Sequence, residues 1–293
     1  MCATKSLTIK QSLADAQRQL TLPDSQSQQD AAKLEAEILL AFILNKPRSH
    51  LYTWPEQEIS ASQQSQYNSL LRRRCSGEPI AYMTGEREFW GLTLKVSPAT
   101  LIPRPETERL VEIALSYIPD SEAVRVADLG TGSGAIALAI ASERPKASIV
   151  ATDISDAALE VAQENQSILG LSRVRFYQGH WFDALGDQGE TSEQFNFIVA
   201  NPPYIAEGDP HLVQGDLRFE PALALSSGSD GLHDLRTIIQ NATQYLAKGA
   251  YLLLEHGYDQ ASAISDLFEK SGYSDVQCYS DYGDRERATI GRR

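Results

Sequence analysis

The chain has few cysteines for its 293 residues: Cys2, Cys75 and Cys278, odd in number and far apart. No disulfide framework or zinc-ligand spacing can be built from them, which fits a reducing compartment. No metal-ligand cluster is visible, so no metal is expected. Long apolar runs are also missing, and none approaches the roughly 18 residues of a membrane span. The opening MCATKSLTIKQSLADAQ lacks the apolar centre of a signal peptide. A cytoplasmic protein with no membrane association is therefore expected. Positive charge is scarce: 26 Lys and Arg stand against 39 Asp and Glu, a formal net charge of −13. Nucleic acids are held through Lys and Arg, so no stable nucleic-acid binding is expected, although a local basic groove remains compatible. Internal repeats and low-complexity tails are absent. What remains is an ordinary globular balance, 42 % hydrophobic and 22 % charged, long enough for one large or two modest domains. A monomer is the default expectation.

Residues 1–83 read as a small N-terminal helical bundle. Apolar residues recur at helical spacing over Ser6–Leu20, over Asp30–Lys46 with Pro47 as its terminator, and over Ser60–Cys75 with Gly77 as its stop. The run Arg72-Arg73-Arg74 complements a helix dipole, with a partner-docking face as the alternative. Residues 84–105 change character. Phe89, Leu92, Leu94 and Val96 alternate as in strands, and Gly91, Pro98, Pro103 and Pro105 punctuate them, so a β-hairpin linker is predicted. A helix follows, with Glu106-Thr107-Glu108 in its first turn.

Residues 106–293 alternate strand and helix. Strands are predicted at 124–129, 148–152, 174–177, 195–200 and 251–255, and helices from 135, at 155–169, at 230–246 and at 259–270. Segments 275–279 and 287–290 close the chain as an antiparallel pair. This pattern predicts an α/β fold: a Rossmann-like, doubly wound sheet, mostly parallel with an antiparallel last strand. Ligands bind such sheets at the carboxyl ends of their strands.

Three strand ends carry polar chemistry. Asp128-Leu-Gly130-Thr131-Gly132-Ser133-Gly134 follows the first strand and opens a helix, and its glycines admit a ligand close to the backbone. Asp153 ends the next strand, where a carboxylate can hold a ribose hydroxyl pair. The loose dinucleotide pattern fits as well. However, Asp128 would repel a pyrophosphate, whereas it suits a cofactor bearing an amino and a sulfonium group. Trp181, after the third strand, can stack on an adenine or belong to the core, and His180 reads as a surface histidine. The fourth strand stops at Asn201-Pro202-Pro203-Tyr204 because a proline cannot donate to a ladder. A planar NH2 group is a poor nucleophile, since its lone pair is delocalised. The Asn201 oxygen and the Pro202 carbonyl can accept its two hydrogens, while Tyr204 packs on its flat face. Orientation of this kind contributes up to roughly 7–11 kcal/mol in ideal cases. Glu255 and His256 end the fifth strand and read first as structural. The long loop 205–228 reads as a lid anchored by Phe219-Glu220-Pro221.

The motifs together resemble one family. DLGTGSG and NPPY are shared by S-adenosylmethionine-dependent amino-methyltransferases, and NPPY also by adenine-N6 methyltransferases. The segments EPIAYMTGEREFWGLTLKVSPATLIPRPETE, GHWFDAL, GDLRFEPALAL and DRERATIGR narrow it. From about residue 77 onward the chain resembles the peptide chain release factor glutamine methyltransferases, called PrmC or HemK. The resemblance implies transfer of a methyl group from S-adenosyl-L-methionine to the side-chain nitrogen (N5) of the glutamine in the Gly-Gly-Gln motif of class 1 release factors, leaving S-adenosyl-L-homocysteine. It implies that the turn Gly130–Gly134, Asp153 and Trp181 hold the cofactor. Asn201 would touch cofactor and substrate, and Pro202, Pro203 and Tyr204 the glutamine. The amino-terminal helices would dock the release factor. His180 stands where the family commonly has an acidic residue, so a carboxylate contact to the adenine from there is not implied. The rival readings are an adenine-N6 nucleic-acid methyltransferase and a non-catalytic protein that binds the release factor.

Overall fold

A computed structural model describes residues 7–20, 26–186 and 194–293. The chain divides into two compact units, Met1–Gly85 and Glu86–Arg293.

The first unit is helical among its described residues: α1 (Ile9–Leu20), α2 (Gln26–Leu44), α3 (Arg48–Thr53), α4 (Ala61–Cys75) and α5 (Ile80–Thr84). The predicted start of α1 at Ser6 lies outside the described residues. Ile9, Leu39, Leu40, Ile59, Tyr67 and Leu71 are buried together as its core. Ser60 caps α4: its hydroxyl accepts from Gln63 N–H while the Gln63 side chain accepts from Ser60 N–H. Pro47 does not end α2, as the sequence suggested. The helix stops at Leu44 because Asn45 turns left-handed (φ 50°), and Pro47 instead precedes α3, where its fixed φ suits a helix start. Pro79 does the same for α5, and neither short helix was predicted. Arg73 pairs with Glu78 and Arg74 forks onto Glu35. Two of the three arginines in the run are thus held by carboxylates of the same unit.

The second unit opens with the hairpin β1 (Glu86–Phe89) and β2 (Leu92–Lys95). Its two turn residues, Trp90 and Gly91, both have positive φ, which matches the twist of a tight hairpin. The 3-10 turn Pro105–Thr107 then leads into α6 (Glu108–Tyr117). The remaining elements are β3 (Arg125–Leu129), α7 (Ala135–Glu143), β4 (Ser148–Asp153), α8 (Asp156–Leu169), β5 (Val174–Gln178), α9 (Asp183–Gly186), β6 (Phe195–Ala200), α10 (His233–Tyr245), β7 (Leu246–Glu255), α11 (Ala261–Lys270), β8 (Ser274–Ser280) and β9 (Glu286–Arg292).

Seven strands form one sheet in the order β5-β4-β3-β6-β7-β9-β8. The pairs along β5-β4-β3-β6-β7 are parallel, and β9 runs antiparallel between β7 and β8. The sheet is therefore mostly parallel and doubly wound with an antiparallel last strand, as its alternation predicts. Both faces are covered, which is why the inner strands are apolar throughout. Val126, Ile149, Phe197, Val199 and Leu253 face a layer containing α6 and α7; Ala127, Val150, Ile198, Leu252 and Leu254 face α10 and α11. Helix α7 is buried along Ala135–Ala141. The strand order reverses between β3 and β6. That switch point sets the carboxyl ends of β3, β4, β6 and β7 around one crevice.

Candidate active site

Two cavities open at this crevice. The larger, about 240 Å³, is lined by Gly130, Gly132, Asp153, Trp181, Asn201 and Pro203 from the predicted set. The smaller, about 60 Å³, is lined by all four residues from Asn201 to Tyr204, with Arg104 and Glu255. Asn201, at the end of β6, belongs to both.

The turn after β3 is held by its neighbours. Gly130 N–H and Thr131 N–H both donate to Thr152 O, at 2.8 and 2.9 Å. Gly130, Gly132 and Gly134 have φ of +72°, +57° and +83°, values that favour glycine. A Cβ on Gly132 would point into open space, whereas one on Gly130 would sit 2.8 Å from the Trp181 ring. Trp181 is therefore both a buried wedge under the turn and part of the cavity wall. Its indole N–H donates to Asp234 Oδ1 at 3.2 Å.

Asp128 is placed beneath the turn and lines neither cavity. Its Oδ2 accepts from the Thr131 hydroxyl (2.6 Å) and Ala137 N–H (3.1 Å), and Oδ1 is buried with no hydrogen-bond partner among the described residues. Burial pushes its carboxyl up to about 7. Thr131, Ser133 and Gly134 likewise shape the turn from below and line neither cavity. Asp153 faces the larger cavity. Its oxygens accept from Gly132 N–H at 2.8 Å and Ser155 N–H at 2.9 Å, so this one carboxylate ties the glycine turn to the start of α8. Burial raises its pKa against those bonds.

Around the smaller cavity, Asn201 Nδ2 donates to Thr107 Oγ1 at 3.2 Å and the Tyr204 hydroxyl donates to Glu255 Oε1 at 3.4 Å. Burial pushes the Glu255 carboxyl up to about 7, opposed chiefly by hydrogen bonding from Thr107 and by the Arg287 charge. Burial also raises the Tyr204 phenol, which stays protonated. His256 is buried with its ring nitrogens engaged by Gly257 O and Thr289 Oγ1, both at 2.9 Å, and is structural. The loop after β6 closes on itself through a bridge between Ile205 and Ser226. Leu217 and Leu225 reach the smaller cavity, Leu223 and Ser226 the larger. Glu220 pins this loop by accepting from Ile102 N–H at 3.0 Å and from the Arg104 guanidinium.

Sequence reasoning missed Thr107, Arg104, Ile154 and Asp234, and read Glu255 as structural first. Ile154 gave the one local signal, an apolar residue directly after the strand-terminal Asp153.

A pre-shaped crevice with a strand-end carboxylate, a glycine turn and an aromatic wall fits a nucleoside-bearing cofactor. The buried Asp128 carboxyl beneath the turn, with one oxygen unpartnered among the described residues, gains from a cationic group above it, which would favour its ionised form. Residues 120–285 match a family model described as a methyltransferase domain, and residues 13–85 match one described as the PrmC N-terminal domain. The solved structure of a methyltransferase from Pyrococcus furiosus shares the fold, with 18 % identity and a TM-score of 0.51 over 77 % of this chain and 98 % of that one. This is a methyltransferase fold. The release factor glutamine methyltransferase of Aliivibrio fischeri is 47 % identical over 98 % of both chains. That of Escherichia coli is 48 % identical over 90 % of this chain and 93 % of its own. The chain belongs to the release factor glutamine methyltransferase family.

Proposed function

We propose that the protein methylates the side-chain amide nitrogen of a glutamine, that of the Gly-Gly-Gln motif of class 1 peptide chain release factors, with S-adenosyl-L-methionine as donor. The observation that carries this reading is the position of Asn201. It lines both the larger cavity, with the glycine turn, Asp153 and Trp181, and the smaller one, with Pro202, Pro203, Tyr204 and Glu255.

The cofactor, when bound, supplies a methyl group on an electrophilic sulfonium. Asp153 and Gly132 would hold it in the larger cavity, against Trp181. The Asn201 oxygen and the Pro202 carbonyl would accept the two hydrogens of the incoming amide. This orients its nitrogen and favours localisation of its lone pair. Tyr204 would pack on the face of the amide, held by its bond to Glu255. Because the phenol stays protonated, it serves as a donor and not as a base. The nitrogen can shed its proton after the bond to carbon forms, so no strong base need act early. The helices of Met1–Gly85 would dock the release factor.

The test offers labelled S-adenosylmethionine to the purified protein with unmodified release factor or unmethylated DNA. Label is expected in the release factor only, and absent when the Gly-Gly-Gln glutamine is replaced. Asn201→Ala is expected to lower the rate by on the order of 10²-fold or more with the fold retained. Label in DNA alone, or no transfer despite bound cofactor, overturns the proposal.

A further inference from the structure

An aromatic ring that walls a ligand cavity has to be held still, and Trp181 is held in an unfavourable backbone. Its φ is +45°, a left-handed conformation that a bulky side chain rarely adopts. Such a conformation persists only where its surroundings fix it. Two hydrogen bonds and one close packing do so. Its carbonyl accepts from the Thr152 hydroxyl at 3.3 Å, its indole N–H donates to Asp234 Oδ1 at 3.2 Å, and its ring lies where a Cβ on Gly130 would collide. An indole N–H can only donate, so the sense of the bond to Asp234 is fixed.

We infer that Asp234 is a positioning residue that fixes Trp181 as the wall of the larger cavity and ties that wall to the loop 205–228. The inference rests on the methyl-transfer reading above, which assigns that cavity to the cofactor. Asp234 stands in the first turn of α10 and itself lines the cavity. Its carboxyl group faces two ways. Oδ1 takes the indole, and Oδ2 accepts from the Ser227 hydroxyl at 2.6 Å, while the Ser227 oxygen accepts from Asp234 N–H at 2.8 Å. Ser227 in turn closes the loop. Its N–H donates to Ile205 O at 2.9 Å, and Ile205 directly follows Asn201-Pro202-Pro203-Tyr204. Ser227 is only 2 % exposed, so water has little access to replace these bonds. The same loop supplies Pro221, Leu223 and Ala224 to the larger cavity, and Leu217, Ala224 and Leu225 to the smaller. One side chain thus joins the wall on which the cofactor would rest to the loop that would cover the amide.

The joint is read first without turnover. The chain has three tryptophans, so protein labelled with 15N-tryptophan gives three indole signals, and the one lost in Trp181→Phe is that of Trp181. In the ligand-free wild type its N–H should exchange slowly with solvent, and in Asp234→Ala at least about tenfold faster. Affinity is read next, as a cycle. Trp181→Phe and Asp234→Ala are each expected to raise the calorimetric Kd for S-adenosylmethionine by about tenfold, and the double variant by no more than about that, because both remove one interaction. Ser227→Ala frees the loop but leaves the indole bond. It should keep that Kd within about twofold of wild type while quickening cleavage within 205–228 and raising the KM for the release factor. An unprotected Trp181 indole in the wild type, an unchanged Kd in Asp234→Ala, losses that multiply to about a hundredfold in the double variant, or wild-type loop cleavage in Ser227→Ala overturns the joint. A wild type that fails to bind S-adenosylmethionine overturns the methyl-transfer reading instead, while indole exchange and loop cleavage still test the joint.

Discussion

Glu220 and Arg104 form an ion pair across 116 residues of chain, with the carboxylate buried and the guanidinium partly exposed. The same carboxylate accepts from Ile102 N–H. These bonds stitch the loop after β6 to the segment 101–104, and both segments line the smaller cavity. Removing the carboxylate strands a buried N–H and a guanidinium together. Glu220→Ala is expected to cost about 3 kcal/mol, toward the low end for a broken buried pair because Arg104 retains contact with water. Urea unfolding gives the stability, and limited proteolysis gives the loop. Cleavage within 205–228 should quicken in the variant. Cleavage at the wild-type rate would mean that Glu220 does not anchor the loop.

Gly130 and Gly132 share a left-handed backbone but not their surroundings. A Cβ at Gly130 meets the Trp181 ring at 2.8 Å, and one at Gly132 meets nothing within 4 Å. Alanine at either position carries a backbone penalty of roughly 1–2 kcal/mol. Only Gly130→Ala adds a collision. It should therefore lower Tm further than Gly132→Ala does, each kcal/mol being worth roughly 2–4 °C in a domain of this size. Gly132→Ala should instead weaken S-adenosylmethionine binding, because its methyl enters the larger cavity. Scanning calorimetry and titration calorimetry read the two effects. Equal losses of Tm would show that the indole gives way.

Asp128 makes stability depend on pH in a definite direction. Burial lifts its carboxyl from 3.8 to about 7; hydrogen bonds from Thr131 and Ala137 oppose this, and the charge of Asp153 adds to it. The folded chain thus holds this proton more tightly than the unfolded chain. As pH rises from about 4 to about 7, the unfolded state ionises first and this contribution to stability is lost; above about 7 the penalty is constant. Asp128→Asn keeps the shape and removes the titration. Its stability relative to wild type should climb across that window and then level off, as followed by denaturant unfolding at several pH values. The variant should also bind a cationic cofactor less tightly. A pH-independent difference would mean that Asp128 ionises as an exposed carboxyl does.

The alternation of apolar strands with amphipathic helices carried the architecture, because a strand buried on both faces reads as an uninterrupted apolar run, as in Ile198-Val199-Ala200. Where such runs end in Asp153 or in Asn201-Pro202, the polar residue falls at a carboxyl edge, so part of the site was legible too. Short helices were not. Pro47 and Pro79 look like breaks in a linear reading, yet each precedes a helix. The partners of the motif were hidden for another reason. Thr107 lies 94 residues from Asn201, and Arg104 lies 116 from Glu220. Their contacts exist only once β6, β7 and the turn before α6 converge. No local period records that meeting.

Ile154 is the residue whose role the site most directly predicts. It follows Asp153 at the end of β4, lines the larger cavity, and is 51 % exposed. An apolar side chain left open beside a carboxylate contributes little to folding. Covering the exposed half of that side chain with a bound nucleoside would contribute about 1 kcal/mol by removal of apolar surface from water. Ile154→Ala should therefore raise the Kd for S-adenosylmethionine by roughly fivefold, while Ile154→Leu, which conserves volume, should change it little. Neither should shift the unfolding midpoint, since half of the side chain already faces solvent. A Kd unmoved by Ile154→Ala, measured by titration calorimetry, would place the ligand away from this wall and against the His180 side of the cavity.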